Sequence, residues 1–277
     1  MNRDLILVDV GARGGIDPRW RPFHSRLSVI AFEPDTAECE RQRLIQHPYT
    51  IEFVAGALGA NNDEQATLYM TRSPGCWSTL RPNIELCAPY EFGAAMEVIG
   101  TQQITLHRMD AVLKQQPDVI KVDTQGTELH VLRGASHLLD RCLCVEVEVE
   151  FDYQYVGQPL FADVDVFMRS KGFELRALRR SFWRLKGRHG SARGGKLMHG
   201  DALYFRPEIG TSDKGRMILS AYRQDDLVAH CGARDLIPRS SWWRTTLGGM
   251  AHHRNLRRFV DSLRQESATD WHDPEFF

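Results

Sequence analysis

A lysine and an aspartate sit two residues apart at the end of an apolar run, in the stretch DVIKVDTQGTELHVLRGA (Asp118–Ala135). Burying charge is costly unless the charge is paired or used. Residues two apart on a strand also point the same way. Lys121 and Asp123 therefore form either an ion pair with a neighbouring carboxylate or the edge of a site. Asp123, at the strand's carboxyl end, has the chemistry of a general base or of an acceptor that orients a substrate hydroxyl. His130, in the helix that follows, reads as a surface residue. Glu146, Glu148 and Glu150 alternate along a second apolar run and share one face of it. With Asp123 they offer oxygen ligands for a divalent ion. An acidic face matched by arginines elsewhere is the simpler reading, so a divalent metal is considered but no metal ligands are assigned. His199 and Asp201 flank the start of a late strand and can enter the same site from its far side.

A second group opens the chain. In LILVDVGARGGIDPRW, Asp9 ends an apolar run and Gly11, Gly14 and Gly15 follow it. Glycines let a backbone turn sharply and approach a ligand at the positive end of a helix. The order Gly11-Ala12-Arg13-Gly14-Gly15 lacks the middle glycine of a dinucleotide fingerprint, and no P-loop pattern is present. Glu33 lies 22 positions after Gly11, where an acid can accept both hydroxyls of a ribose, and Pro34 then breaks the strand. The pair of features points to a nucleoside ligand. It leaves open whether that ligand is a nicotinamide dinucleotide or S-adenosylmethionine.

These residues need elements to hold them. Leu5–Val10, Ser28–Phe32, Ile51–Ala57, Asp118–Val122 and Cys142–Val149 read as strands, and 66–70 and 104–106 as short additional ones. Helices are expected over 36–46, 128–139 and 161–170, and Asp110 is a candidate helix cap before the fourth main strand. Phe173–Leu178 and Asp201–Arg206 close the pattern as two final strands with a basic loop between them. Strands alternating with helices predict an α/β fold with a mostly parallel sheet and helices on both faces. Ligands of such sheets sit outside the carboxyl ends of the strands, which singles out Asp9–Gly15, Glu33, Ala57, Asp123 and the Glu146–Glu150 end. From Glu208 the pattern becomes helical, with segments at 214–229 and 255–266. The expected division is a domain over 1–207 and a helical appendage over 208–277, a lid or an oligomer contact.

The ordered set of motifs resembles the FkbM-type methyltransferases. Their signature, roughly I-K-I-D-x-x-G-x-E followed by V-L-x-G-A, is matched at Lys121, Asp123, Gly126, Glu128, Val131, Leu132, Gly134 and Ala135. Asp9, Gly11, Ala12 and Gly15 resemble the family's first turn, Ala31–Pro34 its second strand end, and Gly172–Leu175 its late helix-to-strand turn. The resemblance covers roughly Leu5 to Arg206. It implies a Rossmann-like class I methyltransferase fold with a late antiparallel strand, S-adenosylmethionine as cofactor, and O-methylation of a hydroxyl on a sugar, polysaccharide unit or secondary metabolite. By the same resemblance Asp9, Gly11, Ala12 and Gly15 would cradle the methionine end of the cofactor. Glu33 would hold its ribose, Ala57 would pack on its adenine, and Ser78 would reach it from the CWSTL loop. Asp123, with Lys121 behind it, would face the junction of cofactor and acceptor. Arg13, Thr124-Gln125 and Thr127 depart from the family's pattern, and Gln125 weakens any mechanism that needs a carboxylate there.

The bulk properties bound the partners. A formal net charge of −1 argues against a polyanion binder. Arg179–Lys196 nevertheless carries seven basic residues, no acids, and Phe182-Trp183 between them. An anionic acceptor and a solvated loop are weighed equally there, with RNA less favoured. Pro238–Arg258 adds five arginines and Trp242-Trp243, aromatics that stack on sugars or pack an appendage. The six cysteines are irregularly spaced with no C-x-x-C, which fits a reduced, cytoplasmic setting. No secretory leader or membrane span is expected. Two other readings stay open: an NAD(P)-dependent enzyme, and a non-catalytic or nucleic-acid-associated protein on a methyltransferase scaffold.

Overall fold

The computed structural model describes residues 5–187 and 195–231. The first strands are β1 (Leu5–Val10), β2 (Leu27–Glu33) and β3 (Thr50–Ala55), with α1 (Thr36–Arg43) between the last two. A small second sheet follows, from β4 (Ala57–Leu58), β5 (Glu64–Thr71) and β6 (Val98–His107). The one-turn helices α2 (Ile84–Cys87) and α3 (Met109–Val112) flank β6. The main sheet resumes with β7 (Val119–Val122), α4 (Glu128–Gly134), β8 (Cys144–Glu150), α5 (Phe161–Ser170), β9 (Glu174–Trp183) and β10 (Lys196–Phe205).

The main sheet has the order β3-β2-β1-β7-β8-β10-β9. Pairing from β3 to β8 is parallel, and β10 runs antiparallel to both β8 and β9. This is the α/β, mostly parallel sheet with a late antiparallel strand that the sequence implies. Val8, Val10, Ile120, Val122, Val145 and Val147 are buried in one core cluster. Such unbroken apolar runs belong to strands covered on both faces. The chain builds outward from β1 to β3 and then returns to the other side of β1 with β7. The carboxyl ends of β1 and β7 are therefore a topological switch point, where open α/β sheets place their ligands.

Several boundaries differ from expectation for local reasons. β6 is ten residues long, where only Ile104–Leu106 stood out, because its exposed Thr101, Gln102 and Gln103 hide the strand from a hydropathy reading. β9 continues through Arg179–Trp183, so part of the expected basic loop is paired strand; residues 188–194 of that stretch lie outside the described residues. The helix expected over 128–139 stops at Gly134, where a Cβ would come within 2.0 Å of the Gly59 carbonyl oxygen. Asp110 lies inside α3 rather than capping it and accepts the backbone N–H groups of His137 and Leu138.

Described residues up to Pro207 form one compact unit and those from Glu208 a second. In the second, α6 (Asp213–Ala221) is capped by the Ser212 hydroxyl, which accepts the Gly215 N–H. Arg223 adopts a left-handed φ of 51° and splits the expected continuous helix, so that α7 (Asp225–His230) is separate. The helix expected over 255–266 and the Pro238–Arg258 stretch lie outside the described residues. Among the described residues no helix is long and apolar enough to cross a membrane.

Candidate active site

Backbone hydrogen bonds tie the carboxyl ends of the central strands into one ledge. Gly11 N–H and Ala12 N–H donate to the Phe32 carbonyl at 2.9 and 3.1 Å, Asp123 N–H to Val10, and Gly56 N–H to Glu33. Gly11 has a φ of +83°, and a Cβ on it would lie 1.8 Å from the Asp123 carbonyl oxygen. Only glycine allows the ends of β1 and β7 to approach this closely. Gly14 N–H is not free for a ligand, because it donates to Glu38 Oε1 at 3.0 Å. Glu38 also accepts from Arg41 and Gln42, and these bonds hold its carboxyl down at about 2.

Above the ledge lies a cleft of about 170 Å³, open to solvent. Of the residues singled out from sequence, Gly11, Glu33, Ala57, Ser78 and Asp123 line it; Asp9, Ala12, Gly15 and Lys121 lie outside its lining. Arg13, Trp77 and Gln125 also line it; the sequence left Arg13 either a surface arginine or one that reaches the cofactor carboxylate, and gave Trp77 and Gln125 no role there. The cleft's mixed polar and apolar lining suits a small-molecule ligand.

Glu33 is buried at the end of β2. Burial raises its carboxyl, while the Asp35 N–H and the Arg13 guanidinium oppose the rise. Both of these contacts, at 3.0 and 3.4 Å, fall on Oε1, which leaves Oε2 to a ligand. Arg13 also bonds Asp35 at 2.5 Å, and its guanidinium lies 4.9 Å from the centre of the Trp77 ring. The residue that departs from the family pattern thus clasps the cleft rim over the Glu33 carboxylate.

Asp9, Lys121 and Glu146 are register partners across β1, β7 and β8. Lys121 Nζ lies 3.4 Å from Asp9 Oδ1 and 3.8 Å from Asp123 Oδ2. Burial works against its charge, but Asp9, Asp123, Glu146 and Asp201 outweigh burial and hold it above the usual lysine range. A lysine held charged acts through its field and cannot take a proton. Burial pushes Asp9 up, and Lys121 counters it.

Gln125 is a hub. It has a φ of +58°, uncommon for a residue other than glycine. Its Nε2 donates to Asp123 Oδ1 at 2.9 Å and to Glu148 Oε2 at 2.6 Å. Its Oε1 accepts the Tyr155 hydroxyl at 3.1 Å, and its backbone carbonyl accepts the Ser78 hydroxyl at 2.7 Å. Tyr155 was not legible as a site residue, since nothing in its own neighbourhood of sequence marks it.

The acidic face of β8 divides among different partners. Glu146 pairs with Arg19 at 3.3 Å, and across the strand Asp201 pairs with Arg179 at 2.5 Å. Glu148 meets Gln125 and His199. Glu150 converges with Glu128 and Glu148, their oxygens lying within 4.8 Å of one another. Burial raises all three carboxyls, Glu128 to about 7 although the Thr124 and Gly126 N–H groups donate to it.

The family model described as the methyltransferase FkbM domain matches residues 9–175. Among solved structures, the chain is similar to methyltransferase FkbM from Methylobacillus flagellatus, with 16% identity and a TM-score of 0.41 over 73% of this chain and 43% of that one. It is also similar to magnesium protoporphyrin IX methyltransferase from Synechocystis, solved with SAM bound: 12% identity, TM-score 0.39, 74% of this chain and 71% of that one. Precorrin-6y C5,15-methyltransferase from Geobacter metallireducens gives 11% identity and a TM-score of 0.38 over 74% of this chain and 82% of that one. The chain thus spans less than half the length of the first of these proteins. No curated protein matches it.

Proposed function

The chain belongs to the FkbM-domain methyltransferase family, and from that premise we propose that it is an S-adenosylmethionine-dependent enzyme that methylates a hydroxyl of a sugar, polysaccharide unit or secondary metabolite. The observation that carries the cofactor reading is Glu33, buried at the end of β2 in the switch-point cleft with Oε2 left to a ligand. A carboxylate there suits a ribose diol, and the Gly11 turn keeps the neighbouring backbone bare.

S-adenosylmethionine supplies a methyl group already activated on a sulfonium, so the protein has to align the acceptor and remove its proton. Glu33 holds the ribose hydroxyls. Ala57 and Ser78 wall the nucleoside end, and the Ser78 hydroxyl fixes the Gln125 backbone. Asp9, Ala12 and Gly15 shape the turn from beneath the cleft. Asp123 borders the cleft with a carboxylate oriented by Gln125, and it directs the acceptor hydroxyl. Lys121 supplies a fixed positive charge between Asp9 and Asp123. The exposed Arg180, Arg184 and Lys186 near the end of β9 favour an anionic acceptor. No step calls for a divalent metal. The domain over 1–207 carries all of these residues, and the chain from 208, helical over 213–221 and 225–230, is read as an appendage to it.

A thermal-shift comparison tests the cofactor class. The expected result is that S-adenosylhomocysteine raises the melting temperature and NAD(H) leaves it unchanged. Stabilisation by NAD(H) alone would overturn the methyltransferase reading in favour of a dehydrogenase.

A further inference from the structure

We propose that His199 is the catalytic residue that takes the proton of the acceptor hydroxyl, and that Glu148 and Gln125 are the positioning residues that aim it. The proposal rests on the methyltransferase reading above.

His199 approaches from β10, on the sheet face it shares with Glu148 and Glu150 and outside the residues that line the cleft. It sits at the start of the antiparallel β10, opposite Glu150 in register, and so beside the carboxyl end of the parallel β8. Its Nδ1 lies 3.0 Å from Glu148 Oε1. Glu148 Oε2 accepts Gln125 Nε2, and the same Nε2 donates to Asp123 Oδ1. Three short contacts thus run from the cleft wall to the imidazole.

The amide at position 125 makes this relay possible. The Asp123 and Glu148 oxygens both accept from this nitrogen, and Oε1 shares the Tyr155 hydroxyl with the Cys76 carbonyl, at 3.1 and 3.0 Å. An acid at this position would bring a third carboxyl group between Asp123 and Glu148. Gln125 is therefore the neutral donor that lets two carboxylates sit together.

In the tautomer that donates Nδ1–H to Glu148, which this proposal requires, Nε2 keeps its lone pair. The groups facing the imidazole are Glu148 and Glu150 of β8, Asp123 beyond β7, Arg179 on β9 and Asp201 on its own strand; the Trp183 ring stands 6.5 Å away. Burial lowers His199 below the usual histidine range, and Asp123 and Arg179 pull in opposite directions. An uncharged imidazole at neutral pH can accept a proton. Asp123 is less suited to that task, since Oδ1 is spent on Gln125 and Oδ2 faces Lys121.

The electron balance is simple. The acceptor oxygen bonds to the methyl carbon as the carbon–sulfur bond breaks, and that bond's electrons discharge the sulfonium to a neutral thioether. The hydroxyl proton moves to His199 Nε2, and the imidazolium charge is met by Glu148. His199 is 29% exposed, enough to pass the proton on to water.

The test is the tautomer and titration of His199 in the ¹⁵N-labelled full chain, read by two-bond imidazole correlation spectra across about pH 5 to 9. The resonance is assigned by its loss in His199→Gln. The expected result is the Nδ1–H tautomer with a bare Nε2 at neutral pH, and a lower titration midpoint in Glu148→Gln. An Nε2–H tautomer, or a midpoint unmoved by Glu148→Gln, overturns the proposal. S-adenosylhomocysteine binding is measured in parallel on the same two proteins. Its absence in the wild type would sink the cofactor reading, whatever the histidine spectra show; its retention in Glu148→Gln shows that the variant is folded.

Discussion

Gly11 has room for a hydrogen and nothing more. Its positive φ and the 1.8 Å approach that a Cβ would make to the Asp123 carbonyl act together. Gly11→Ala should cost about 2–3 kcal/mol, because backbone cannot yield as a flexible side chain can. Urea unfolding checks this, and an unchanged midpoint would mean that β1 and β7 do not meet there. At this scale the sequence was informative where a residue's role is local. Gly11 and Glu33 stand at strand ends that apolar runs and Pro34 mark, and both line the cleft. Arg13 was opaque because its meaning comes from Glu33, Asp35 and Trp77, which only the fold brings to it. Gln125 read as a weakness, since its partners Glu148 and Tyr155 lie 23 and 30 residues away.

Helix α1 is fastened to the glycine turn through one side chain. Glu38 accepts from Gly14, Arg41 and Gln42, and its carboxyl falls from 4.5 to about 2 in the folded protein. A folded-state value below the unfolded one adds stability that is complete above about pH 4.5 and is lost as pH falls towards 2. Glu38→Gln should therefore lower stability at neutral pH and flatten the acid limb in that window. Urea midpoints measured from pH 7 down to about 2 check the sign; an acid limb as steep as the wild type's would contradict it. Elements with a dense apolar signal, such as β1 and α5, lie where their patterns put them. β6 and the far end of β9 were hidden because their polar or basic residues are held by pairing with neighbouring strands. The stop of α4 at Gly134 depends on its close approach to Gly59, a contact with no trace in local sequence.

Over the whole molecule, strand order is what turns scattered residues into a site. β1 and β7 are neighbours although more than a hundred residues separate them, and their carboxyl ends bring Gly11 and Asp123 to one cleft beside Glu33. The alternation of strands and helices made that sheet legible, and the ordered motifs made the family legible. The acceptor was not legible in either, because the surface proposed for it spans β8, β9 and β10, which no single motif describes. At the centre of the proposed function, the cleft binds S-adenosylmethionine through Glu33. Calorimetric titration with S-adenosylhomocysteine tests it most directly. The expected result is one site per chain, with affinity weakened about tenfold or more in Glu33→Ala, as for lost hydrogen bonds to a charged group. No binding by the wild type, or equal affinity in the two proteins, would contradict it.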